Sequence, residues 1–137
     1  MRTGEVFFDS SVILYLLSGN DTQADAVEEL LLREGHISVQ VLNEVAAVAL
    51  RKQALSIAEI REFFSGIREC CRTHALTPET HDRGLDIAER YGFSIYDSLI
   101  VAAALASGCR TLYSEDLQHG QVIEKRLTVV NPFASAM

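Results

Sequence analysis

Tryptophan is absent from this chain of 137 residues, and proline occurs only twice. So few prolines, with 48% apolar residues, exclude a disordered low-complexity protein and supply enough material for a core. Cysteine is scarce as well: Cys70 and Cys71 are adjacent and Cys109 stands apart, which fits neither a disulfide framework nor a zinc-binding pattern. The expected setting is a reducing cytoplasm. No long hydrophobic run exists; the longest, Leu99 to Ala106, falls far short of the roughly 20 residues of a membrane helix. The short stretch before Asp9 leaves no room for a signal peptide, so none is expected. Positive charge is in deficit, with 12 Lys and Arg against 19 Asp and Glu, for a net charge of −7. That balance argues against a broad basic surface for nucleic acid. It does not exclude an enzyme that meets phosphate through bound cations, which invert the local field. The length predicts one domain over residues 1–137.

A more local scarcity carries the information. Three long stretches contain almost no charge, and each holds one acid. From Val6 to Asn20 the only charged residue is Asp9, from Gly35 to Leu50 only Glu44, and from Tyr91 to Cys109 only Asp97. No Lys or Arg lies inside these windows as a local partner. Acids are seldom buried unless paired or bound to a metal. Three of them in core-forming segments imply a shared site.

Short apolar strands alternate with helical patterns, the signature of an α/β fold with a mainly parallel sheet. Strands are expected at 6–8, 36–39, 74–76, 110–113 and 127–130, and helices at 11–17, 23–33, 41–52, 57–71, 79–91 and 95–107. Ser56 to Glu59 reads as a capping box, and Thr77-Pro78 as a cap followed by a proline at the first helical position. Gly19, Gly92 and Gly108 mark helix ends.

Asp9 directly follows the first strand, and ligands of open parallel sheets collect beyond the carboxyl ends of strands. A later strand ending at Tyr113 delivers Ser114, Glu115 and Asp116 to the same edge. Glu44 shares a helix face with Val41 and Val48, and Asp97 shares one with Ile100 and Val101. Two charges about 4 Å apart repel by roughly 4 kcal/mol at an effective dielectric of about 20. Convergent acids therefore need protons or cations, and an all-oxygen set suits Mg²⁺ or Mn²⁺ over zinc. Metal-assisted phosphodiester hydrolysis is the chemistry such a site serves best. Each acid has a plainer reading too. Asp9 could cap a helix, Asp97 could complete a capping box with Ser94, Glu44 could reach solvent, and Glu115 or Asp116 could serve a turn. Ser10 and Ser114 are candidates to hydrogen-bond a bound water, and His119 to touch substrate. Of the 12 basic residues, Arg51, Lys52 and Arg110 are the candidates to contact a polyanionic substrate.

The ordered motifs Phe8-Asp9-Ser10-Ser11-Val12, Asn43-Glu44, Tyr96-Asp97-Ser98-Leu99-Ile100-Val101-Ala102-Ala103-Ala104 and Ser114-Glu115-Asp116-Leu117-Gln118-His119-Gly120, closed by Val129-Val130-Asn131-Pro132-Phe133, resemble the PIN-domain ribonucleases. Within that family the chain looks most like bacterial VapC-type toxins. The resemblance implies a doubly wound α/β/α sandwich around a mainly parallel sheet of about five strands. It places Asp9, Glu44, Asp97 and Asp116 in an acidic metal-binding pocket, with Glu115 secondary, and puts Ser114 where the family usually has threonine. It further implies an RNA substrate, a homodimer, no membrane association, and a cognate antitoxin, typically a small DNA-binding protein whose tail covers the groove. Two other readings compete. A phosphatase or phospho-receiver domain also places an aspartate after its first strand, but would usually add a second acid there and, in a receiver, a lysine at a late strand end. A non-catalytic interaction module would keep the fold without the activity.

Overall fold

The computed structural model describes residues 6–134. Six strands form one sheet in the order β3-β2-β1-β4-β6-β5. They are β1 (Val6–Phe8), β2 (His36–Ser38), β3 (Arg72–His74), β4 (Thr111–Tyr113), β5 (Val122–Ile123) and β6 (Leu127–Val130). All pairings are parallel except β5 with β6. The helices are α1 (Ser10–Ile13), α2 (Asp21–Leu31), α3 (Val39–Arg51), α4 (Ile57–Cys70), α5 (Pro78–Tyr91) and α6 (Ile95–Ala106). From β1 the chain builds outward through β2 and β3, then returns to place β4 on the other side of β1. This reversal makes the carboxyl end of β1 a topological switch point, where a crevice opens between diverging connections.

The sheet is short-stranded and mainly apolar at its centre, with Phe7, Phe8, Ile37, Leu112 and Val129 fully buried. Residues Ser98 to Leu105 of α6 are buried on every side, as expected of a helix apolar around its circumference. α5 packs along α6. Gly84 allows this approach, since a methyl group there would stand 2.8 Å from Leu99 Cδ2. The capping box at Ser56 and Glu59 forms in both directions, Thr77 caps α5, and Gly19, Gly92 and Gly108 take left-handed φ values.

The structure departs from the sequence expectations in three places. The third strand lies at Arg72–His74, not 74–76, because pairing with β2 and burial of Cys71 fix its register, and Leu76 stays partly exposed. The first helix is split into α1 and a 3-10 turn over Leu14–Leu17. β5 was not anticipated: two residues are too few for a strand pattern. Its turn into β6 uses Glu124 and Lys125 at φ 54° and 60°, without the glycine or asparagine that usually signals such a turn.

Candidate active site

β1 and β4 are hydrogen-bonded neighbours with Phe8 opposite Tyr113, and their ladder runs one step further. The Asp9 amide donates to the Tyr113 carbonyl at 3.0 Å, and the Ser114 amide donates to the Val130 carbonyl at 3.0 Å. Asp9 and Ser114 therefore emerge side by side at the switch point. Asp9 is 2% exposed and its carboxylate accepts three close donors. Its Oδ1 accepts the Ser10 amide at 2.7 Å, and its Oδ2 accepts the hydroxyls of Ser11 at 2.9 Å and Ser114 at 2.7 Å. Asp9 is thus both the N-cap of α1 and a member of the site.

Glu44 comes from the middle of α3. Ser10 Oγ donates to its Oε1 at 2.7 Å, and Gln40 Nε2, one turn earlier, to its Oε2 at 3.0 Å. It does not escape to solvent but is tied to α1. Asp97 sits in the first turn of α6, where its amide donates to Ser94 Oγ at 3.1 Å and the helix dipole favours a carboxylate. Asp116 follows β4 in a turn organised by Ser114 Oγ, which accepts the amides of Asp116 and Leu117, each at 3.2 Å.

The charges of these residues act on one another. Burial pushes the Asp9 carboxyl up to about 6, opposed by the Ser114 and Ser11 hydroxyls and reinforced by Asp116 and Asp97. Asp97 is raised by burial, then by the charges of Asp116 and Glu44. Asp116 is raised by burial, then by Glu115 and Glu44. Four acids from four separate elements thus share one electrostatic field, and among the described residues no basic side chain contributes to the shifts. A cleft of about 430 Å³ opens beside them, lined by Ser10, Glu44, Glu115 and Asp116 at its acidic end and by Leu14, Tyr15 and Val48 elsewhere. Among the described residues no trio of acidic, histidine or cysteine side chains is arranged to hold a metal ion as it stands. The donor set nevertheless fits a hard divalent cation: every side chain is an oxygen donor, and beyond the effect of burial the acids raise one another's proton affinity through negative charge that a cation would neutralise.

A family model of the PIN domain matches residues 6–125. The chain belongs to the PIN domain family. Among solved structures it is similar to a toxin–antitoxin complex from Klebsiella pneumoniae, at 18% identity and a TM-score of 0.71, covering 93% of this chain and 98% of that one. It is also similar to VapC20, a sarcin-ricin loop cleaving toxin from Mycobacterium tuberculosis, at 18% identity and a TM-score of 0.64, covering 81% and 89%. FitAcB from Neisseria gonorrhoeae matches at 18% identity and a TM-score of 0.62, covering 93% and 97%. No curated protein matches the sequence. In this PIN domain the sequence reading placed Asp9, Glu44, Asp97 and Asp116, and the structure brings all four to one edge. It separates His119, whose Nδ1 accepts the Asn131 amide at 2.9 Å and so ties two loops together. Arg110 precedes β4 and therefore stands at the opposite edge of the sheet, while Arg51 and Lys52 are exposed at the end of α3. Three contributors had been missed: Gln40, Tyr15, and Ser11 as a ligand of Asp9. Only Gln40 carried a legible signal, its i, i+4 spacing to Glu44.

Proposed function

We propose that this PIN domain is a metal-dependent endoribonuclease of the VapC type, the toxin of a toxin–antitoxin pair. The observation that carries the proposal is the convergence of Asp9, Glu44, Asp97 and Asp116 from four elements at the switch point, with the Asp9 carboxyl pushed to about 6. Those four side chains would hold Mg²⁺ or Mn²⁺. When bound, such an ion supplies a water of lowered pKa and neutralises charge developing on phosphoryl and leaving oxygens. The chain's own residues provide orientation. Ser11 and Ser114 fix Asp9 Oδ2, while Ser10 and Gln40 fix Glu44, so neither carboxylate must reorganise when a phosphate arrives. Both carboxylates accept from neutral hydroxyls and amides, which orient them without cancelling their charge.

The substrate proposed is single-stranded or looped RNA, whose splayed bases offer readable edges. Hydrolysis would leave a 5′ phosphate and a 3′ hydroxyl. The solved relatives supply the context: two are a toxin–antitoxin complex and a VapC toxin, and VapBC2 of Rickettsia felis was solved bound to a fragment of its promoter DNA. The proposal extends to a single domain over residues 1–137 that acts in the cytoplasm as a homodimer and is restrained by a DNA-binding antitoxin. Among the described residues no helix is long and apolar enough to cross a membrane.

The test is incubation of a labelled mixed RNA pool with the partner-free protein in Mg²⁺, Mn²⁺ or EDTA, beside Asp97→Asn. Cleavage that needs the metal and drops by at least about a hundredfold in the variant is expected. Products ending in a 2′,3′-cyclic phosphate, or cutting that survives EDTA, would overturn the mechanism.

A further inference from the structure

The segment Ser114-Glu115-Asp116 presents two neighbouring acids at the same strand end and to the same cleft, and the structure holds them differently. Tyr15, from the 3-10 turn after α1, points its hydroxyl at Glu115, 2.8 Å from both Oε1 and Oε2. Its ring is held in turn by Phe133, with centroids 4.6 Å apart at an interplanar angle of 60°. Phe133 belongs to the closing segment, whose backbone is set by Asn131: its Oδ1 accepts the Phe133 amide at 2.9 Å, and its own amide is held by His119. The Glu115 backbone is anchored independently. Its amide donates at 3.0 Å to Ser11 Oγ, the same oxygen that donates to Asp9 Oδ2. Glu115 is thus pinned at main chain and side chain, whereas Asp116 is fixed only through its amide to Ser114 and its carboxylate accepts no side-chain donor among the bonds described.

We infer that Tyr15 is a positioning residue that holds Glu115 out of the metal set, so that Asp116 is the acid this loop contributes. The inference rests on the proposed metal site. The closing segment acquires a role at a distance, because Phe133 keeps the Tyr15 ring in place. His119, which the sequence offered as a substrate contact, becomes the first strut of this support.

Two readouts test it without relying on cleavage. Mn²⁺ binding, followed by the electron paramagnetic resonance of the free ion, should stay within about threefold of wild type in Glu115→Gln and weaken by at least about tenfold in Asp116→Asn. Adding Tyr15→Phe to Asp116→Asn removes only the restraining hydroxyl, and the released Glu115 should recover about fivefold or more of the lost affinity. The gain should vanish when Glu115→Gln is added as well. A Glu115→Gln defect equal to that of Asp116→Asn, or no recovery in the double variant, overturns the inference. The side-chain ¹³C resonance of Glu115 in metal-free protein reports the clamp separately and should move in Tyr15→Phe. A resonance that does not move overturns the clamp. Failure of wild type to bind Mn²⁺ while the resonance moves overturns the metal site, and with it the selection of Asp116.

Discussion

A carboxyl raised to about 6 is a liability that Asp9 imposes on the metal-free protein. Its folded value exceeds the reference of 3.8, so its contribution to stability is full below about pH 4 and is lost as pH rises through about 6. The gap corresponds to about 3 kcal/mol for this almost fully buried group. In EDTA, urea midpoints should therefore fall between about pH 4 and 6. Asp9→Asn should flatten that slope and stabilise the protein at pH 7 by about 2–3 kcal/mol, while abolishing cleavage. A variant no more stable than wild type at pH 7 would refute the assignment of cost to Asp9. His74 acts with the opposite sign. Burial, then His36 and Arg72, lower its value, so its contribution is present above about pH 6.5 and lost as pH falls. Comparing wild type with Asp9→Asn cancels this slope. At this scale the sequence made Asp9, Glu44 and Asp97 legible because each stood alone in an apolar window. The hydroxyls that orient them were not legible, since a serine at a helix start looks the same whether it caps a helix or holds an acid.

Elements are placed here by close approach as much as by pattern. Gly35 is buried at the entry to β2, and its carbonyl accepts the Arg72 amide at 2.9 Å. A methyl group there would stand 2.5 Å from Phe8 Cε2 and 2.9 Å from the Val6 carbonyl oxygen. Gly35→Ala should therefore destabilise the fold by about 2–3 kcal/mol in urea denaturation, because neither the buried ring nor the backbone can yield cheaply. An unchanged midpoint would show that β1 can shift, and with it Asp9. The helices were readable from caps and periodicity, so the starts of α4 and α5 fell where Ser56 and Thr77 announced them. The β5–β6 turn was not. Glu124 adopts its left-handed conformation because partners distant in sequence hold it: Arg90 at 2.7 Å, and Tyr91, whose hydroxyl donates to its carboxylate at 2.9 Å and accepts its amide at 3.0 Å. No local preference of Glu124 or Lys125 encodes that turn.

For the molecule as a whole, a net charge of −7 opposes RNA at long range. Divalent cations at the acidic edge would have to reverse this field locally. Binding of a labelled single-stranded RNA should therefore tighten by at least about tenfold when Ca²⁺ replaces EDTA, and the response should shrink in Glu44→Gln. Equal binding in both conditions would mean that RNA is held elsewhere, by the exposed basic residues alone.

The sequence by itself determined the class of fold and most helix boundaries, and it singled out three of the four candidate acids, because burial patterns and lone charges in apolar windows are local facts. It also favoured Asp116 over Glu115, through the order of the motifs. Only the tertiary structure decided how that choice is enforced. Tyr15 and Phe133 reach Glu115 from distant parts of the chain, and the pairing of β1 with β4 sets Asp9 beside Ser114. Such contacts depend on which strands become neighbours, and strand order is a property of the assembled sheet.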